Sequence, residues 1–175
     1  MTSNTPLRRG LILAGLLFSV LAAGLFAGGC EEETSRDVES VQIKGNWFHL
    51  ELALDHTARV RGLSGRDFIA EDGGMLFAFP IAAVQQFVMR DCLVPIDIIY
   101  LDGAGRITEM HAMTLETPKG ENESQAAYEA RLKRYSSRFP AQFAIELRSG
   151  WLEELDLEIG ERIDLDTAGL KRRAR

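Results

Sequence analysis

Cysteine is scarce in this 175-residue chain: only Cys30 and Cys92 are present. They could form one bridge at most, so an apolar core rather than a disulfide framework must hold the fold. Basic charge is also in short supply. Twenty Lys and Arg stand against 26 Asp and Glu, a formal net charge of -6, which argues against a nucleic-acid footprint, since that needs a basic face. No internal repeat is visible, and there is no CxxC pair, no Gly-x-Ser-x-Gly elbow and no phosphate-cradling glycine loop. The commonest signatures of dithiol redox, serine-hydrolase and nucleotide chemistry are therefore missing. What remains is ordinary: 46% hydrophobic and 26% charged residues, suited to one globular domain with tails.

The start of the chain reads as an address. Arg8 and Arg9 are followed by an apolar run from Leu11 to Phe26 and then by Ala27-Gly28-Gly29 before Cys30. That is the three-part layout of a secretory signal. Its ending on cysteine resembles the lipobox of bacterial lipoproteins, which implies that Cys30 is acylated and becomes the new N-terminus. An uncleaved anchor is the alternative, because Leu11 to Gly29 approaches the ~20 residues that span a bilayer. Both place the domain outside the cytoplasm. Removing residues 1–29 would take away two arginines and no acid, leaving an even more acidic chain. With lipid on Cys30, Cys92 would be the only other cysteine and no intrachain disulfide could form. Four segments are expected: a signal over 1–29, an acidic flexible tether over 30–45, a β-rich domain over 46–166, and a basic, frayed tail over 167–175.

Phe48, Leu50, Leu52 and Leu54 alternate with Trp47, His49, Glu51 and Ala53, the period of a half-buried strand, and Val41-Gln42-Ile43 can form a shorter strand before it that turns at Gly45-Asn46. Asp55 occupies a helix N-cap position ahead of HTARVRGL, so a helix of about two turns is expected there. Asp72-Gly73-Gly74 turns into an apolar strand, Met75 to Phe79, which Pro80 is expected to stop. Further strands are predicted from Gln86 to Cys92, Ile96 to Leu101 and Arg106 to Met113, the last two joined at Asp102-Gly103-Ala104-Gly105. A surface helix follows over Gln125–Tyr135, with Asn122 and Gln125 in capping-box spacing. Pro140 is expected to reset the chain to extended structure, and strands at Ala141–Leu147 and Ile159–Leu165 flank a turn or short helix beginning at Gly150. Short strands without βαβ alternation predict a mainly β domain, at the margin of α+β. An antiparallel sandwich or partly closed barrel with two or three short helices fits this pattern.

These residues resemble a known family. RGLS at Arg61–Ser64, GGMLFAF at Gly73–Phe79, FVMRDCLVPIDIIYLD at Phe87–Asp102, AIEL at Ala144–Leu147 and IGERI at Ile159–Ile163 fall in the order seen in the "domain of unknown function 192" family. The resemblance implies a small, often exported, mainly β domain and no assigned activity. Ser64, Val88, Arg90, Asp91 and Cys92 replace residues usual in that family, so a site shared by its relatives could differ here.

Asp97 stands between Ile96 and Ile98, and Glu146 lies in the AIEL strand. A buried carboxylate needs a partner, because desolvation costs several kcal/mol per ion. Each could be a binding or acid/base carboxylate, a structural ion pair with Arg61 or Arg90, or a cap on backbone N–H groups. The binding candidates are thus Arg61, Arg90, Asp97 and Glu146. Cys92 has Arg90 nearby but no neighbouring base, which suits a small buried residue better than a nucleophile. Met110, His111 and Met113 carry copper-type donors, yet strand alternation allows only His111 and Met113, beside Glu109, to share a face. No metal or cofactor is expected. The reading is of an envelope module tethered to a bacterial membrane through lipid on Cys30 and facing the periplasm or exterior. It would bind a small molecule, glycan or envelope protein without catalysis. The alternative is an envelope hydrolase or transferase using Asp97, Glu146 and Arg61.

Overall fold

The structure, a computed structural model, describes residues 37–175. The signal segment and Cys30 lie outside the described residues.

Strands β1 (Val38–Ile43) and β2 (Asn46–Ala53) form an antiparallel hairpin. Helix α1 (His56–Arg61) follows, and its N-cap is the expected one: Asp55 Oδ1 accepts from the Ala58 N–H at 2.9 Å. The long strand β3 (Gly73–Phe87) then runs parallel to β2, from His49 opposite Gly73 to Ala53 opposite Phe77. A parallel pair cannot be joined by a tight turn. The segment from α1 to Asp72 makes the crossover, and in doing so it lays Arg61–Ser64 over one face of the sheet. Strands β4 (Ile96–Leu101) and β5 (Ile107–Met113), helix α2 (Gln125–Arg131), β6 (Tyr135–Arg148), and helices α3 (Trp151–Leu155) and α4 (Thr167–Arg173) complete the described elements.

The six strands make one sheet in the order β1-β2-β3-β6-β4-β5, mixed because of the β2–β3 pair and not closed. The mainly β expectation holds. The sheet's parallel crossover and the C-terminal helix α4 are what the sequence reading did not include.

The central strands β3, β6 and β4 are buried on both faces. Leu76, Ile99, Phe143, Ile145 and Leu147 pack with Trp151 and Leu155 of α3 and Leu170 of α4. Met75, Phe77, Ile98, Tyr100 and Ala144 pack instead under Leu63, Ile69 and Met89. Alternation along each strand assigns every residue to one of these two layers.

Several expected boundaries move. The short strand anticipated at Val41–Ile43 is present and longer, Val38–Ile43, so strand structure begins inside the segment assigned to the tether. Pro80 does not stop β3, and Pro140 does not begin β6. Pro140 pairs with Val84, and Pro80 falls where the β3–β6 register shifts between Ala78 and Ala83. A bulge is one of the places where a strand tolerates proline. Ser137, fully buried, repairs the ladder there by accepting from the Gln85 N–H at 2.9 Å and donating to the Phe139 carbonyl at 2.6 Å. Residues 88–95 are not a strand. The cap of α2 is Ser124 rather than Asn122. Ile159–Leu165 contributes only one bridge, Arg162 opposite Arg106. The C-terminal residues form α4 rather than a frayed tail. Leu170 is buried, Arg173 pairs with Asp37 at 2.5 Å, and the Arg175 N–H donates to Leu54 at 2.8 Å.

Candidate functional site

A cavity of about 470 Å³ opens between the α1–Ser64 segment, the far end of β3 and the 88–92 loop. Arg61, Arg90 and Glu146 all line it; Asp97 does not. Strand register gives the reason. Glu146 of β6 lies opposite Ile98 of β4, and Asp97 lies opposite Leu147. Glu146 therefore shares the face of Ile98 and Tyr100, while Asp97 points into the other layer. There Asp97 is 1% exposed, and one of its carboxylate oxygens accepts from the Gly150 and Leu152 N–H groups, each at 2.9 Å. It caps the start of α3. The other oxygen has no partner among the described residues, and burial raises the carboxyl's pKa while the N–H groups pull it back. The structure thus places Asp97 as a cap on α3, apart from Arg61, Arg90 and Glu146.

Glu146 forms the floor of the cavity. It is 5% exposed, and its Oε2 has no hydrogen-bond partner among the described residues. Burial pushes its pKa up from the usual 4.5 to about 8; the Leu63 N–H and the charge of Arg66 act in the opposite direction. Arg66 cannot neutralise it, being engaged with both oxygens of Glu51 at 2.6 and 2.7 Å. At neutral pH the Glu146 side chain is therefore mostly a carboxylic acid, a hydrogen-bond donor in an apolar wall.

One glycine makes room for this side chain, and a second for the backbone that carries it. A Cβ on Gly62 would stand 3.4 Å from Glu146 Oε2 and 3.5 Å from the Phe77 ring, and its φ of +51° favours glycine in any case. A Cβ on Gly74 would collide with the Glu146 carbonyl oxygen and stand 2.9 Å from Leu50. The Arg-Gly-Leu motif thus faces this carboxyl, whereas Gly74 of Gly-Gly-Met-Leu lets β3 approach the Glu146 backbone from the other layer. Gly62 was not among the expected site residues, although its place directly after Arg61 was available as a signal.

The cations around the cavity are not equivalent. Arg90 is held in a two-pronged pair with Glu129 of α2, at 2.5 and 2.8 Å. Arg59 donates to the carbonyls of Leu54, Ala78 and Arg175 and lies over the Phe79 ring, 5.6 Å from its centre. The Arg61 guanidinium is exposed and makes no hydrogen bond or ion pair with the described residues. Val60, Phe79, Phe87 and Val88 supply apolar wall. Cys92 also lines the cavity, but burial pushes its thiol up to about 11, the opposite of an activated nucleophile.

Elsewhere, His111 donates from Nε2 to the Ser136 carbonyl at 2.8 Å, and Met113 is buried in the layer under Leu63. Among the described residues no three His, Cys, Asp or Glu side chains are grouped to hold a metal ion. No helix among them is long and apolar enough to cross a membrane.

With this geometry in hand, the chain can be set beside known proteins. A family model, DUF192, described as an uncharacterized ACR, matches residues 39–165. No curated protein matches the chain. Among solved structures, a Sinorhizobium meliloti 1021 protein described provisionally as a transcription regulator is similar at 26% identity. That match covers 75% of this chain and 96% of the other, with a TM-score of 0.59. A protein of unknown function from Novosphingobium aromaticivorans DSM 12444 shares the fold at 19% identity and a TM-score of 0.59, covering 73% and 83% of the two chains.

Proposed function

The chain belongs to the DUF192 family, and from that premise we propose that it is a non-catalytic, small-molecule-binding module whose working element is the cavity over Glu146. One observation carries this reading. A carboxyl oxygen that is buried and unpartnered among the described residues lines an open cavity, and an unpaired buried polar atom costs about 1–3 kcal/mol that a ligand could recover. The hydrolase or transferase reading is weaker, because it needs Asp97 and Glu146 together and they occupy opposite faces of the sheet.

The module is exported and held at a bacterial membrane by lipid on Cys30, with the domain in the periplasm or at the cell exterior. The support is the charged start, apolar run and small-residue approach to Cys30. The regulator description of the Sinorhizobium protein carries over at most as ligand sensing, since an acidic chain lacks the charge for a DNA-contacting role.

Two-dimensional NMR of the full-length chain in detergent micelles, against a fragment set of small acids, amines and sugars, tests the pocket. Hits that shift the amides of Gly62, Leu63 and Cys92 support it; hits confined to other surfaces, or none, refute it. Metabolic labelling with a radiolabelled fatty acid tests the tether, which predicts that Cys30→Ala abolishes incorporation. Unchanged labelling in that variant would exclude it.

A further inference from the structure

We infer that the ligand of this pocket is a small organic carboxylate, with Arg61 supplying the counter-charge, the Glu146 carboxyl donating a hydrogen bond to one of its oxygens, and the aromatic wall of Phe79 and Phe87 taking its apolar body. This rests on the binding role just proposed and specifies its chemistry.

The charge of the walls decides between anion and cation. The ionisable side chains that line the cavity are His56, Arg59, Arg61, Arg90, Cys92 and Glu146. Arg90 is cancelled by Glu129, and Arg59 donates to three carbonyls within the field of Asp55, whereas Arg61 makes no ion pair among the described residues. The mouth therefore carries excess positive charge, and the sole carboxyl lies at the floor in its neutral form. A cationic ligand would have to pass Arg61 and then ionise a group that burial keeps protonated. An anion meets a free guanidinium, and beyond it a donor whose oxygen has no partner among the described residues. Inorganic anions would satisfy the polar groups but leave Val60, Phe79 and Phe87 without contact, and the apolar wall favours a carboxylate with a hydrocarbon body.

Protonation and binding are consequently linked. The charged or titratable groups around Glu146 are Arg61 and Arg66 from the crossover segment, Arg90 and Cys92 from the loop, and Tyr100 from β4. Arg66 lowers its pKa. Burial raises both the Cys92 thiol and the Tyr100 hydroxyl. Glu146 is thus the member of this set that changes state between pH 7 and 9.

Three probes with the same ring and different charge test the inference: benzoate, benzamide and benzylammonium, each titrated into the full-length chain in micelles and followed at the Gly62, Leu63 and Cys92 amides. Benzoate should bind at least about tenfold tighter than benzylammonium. Arg61→Ala, a change at an exposed side chain that should leave the fold intact, should weaken benzoate by about tenfold or more. Above about pH 8 benzoate affinity should fall by about tenfold per pH unit in the wild type but not in Glu146→Gln, which keeps a donor and cannot ionise. Benzylammonium binding as tightly as benzoate, with the same amides shifted, overturns the anion assignment and leaves the binding pocket standing. No shift from any of the three also overturns it, and the wider fragment set then decides the pocket itself.

Discussion

Replacing Glu146 with glutamine should make the protein more stable at alkaline pH, although it removes a charged residue type from the core. In the unfolded chain Glu146 ionises near its ordinary 4.5; in the folded chain burial holds the proton until about pH 8. Below pH 4.5 both states are protonated and the group contributes no slope. Between 4.5 and about 8 only the folded state keeps the proton, so each pH unit lowers stability by about 1.4 kcal/mol. The loss is complete above about 8 and sums to about 5 kcal/mol, a large part of the roughly 5–15 kcal/mol that holds a domain together. Glutamine resembles the protonated side chain in shape and donor capacity. Near pH 5 Glu146→Gln should match the wild type to within about 1 kcal/mol, and at pH 9 it should exceed it by several kcal/mol, about 5 at most. Guanidinium unfolding of both proteins at pH 5, 7 and 9 measures the difference directly, and groups common to both cancel. Parallel stability curves from pH 5 to 9 would refute the reasoning, because they would mean that Glu146 is ionised and solvated in the native state.

Three further outcomes follow from the packing. Gly74→Ala should destabilise by about 3 kcal/mol or more, or prevent folding, since its Cβ would collide with the Glu146 carbonyl and press on Leu50; a melting temperature within two degrees of wild type would contradict the close approach of β3 and β6. Asp97→Ala should cost about 1–3 kcal/mol through the lost cap on Gly150 and Leu152, while benzoate shifts at Gly62 and Leu63 stay as in the wild type. Glu129→Gln should alter stability by less than about 1 kcal/mol, the pair being about one-third exposed, but it should tighten benzoate by freeing Arg90; weaker binding in that variant would argue against Arg90 as a latent anion partner.

Local signals in the sequence were readable because they act locally. The Asp55 cap, the Phe48/Leu50 alternation and the Asp102–Gly105 turn each depend on residues a few positions apart. The Asp102 oxygen that accepts from the Ala104 and Arg106 N–H groups at 2.7 and 2.9 Å is of that kind. Pro80 and Pro140 misled for a physical reason. Proline does interrupt a ladder, but here the two strands place it at the same irregular stretch and continue past it, a fact that lies in the pairing of β3 with β6. The C-terminal KRRAR read as solvated because its partners are distant: Arg173 meets Asp37, 136 positions away.

The site divided along the same line. Arg61, Arg90 and Glu146 could be named from residue type and motif. Whether Asp97 faced the cavity beside Glu146 could not, because a shift of one residue in the β4–β6 register would put both on one face. Arg90's pairing with Glu129 was likewise hidden, and it changes that arginine from a free cation to a satisfied one.

The most direct test of this account is a carbon-detected NMR titration of the Glu146 side-chain carboxyl, with and without saturating benzoate. A neutral acid at the floor of an anion-binding pocket should titrate near pH 8 in the free protein and at higher pH in the complex, because a bound anion favours the protonated form. A midpoint near 4.5, or a midpoint that benzoate leaves unmoved, would contradict it.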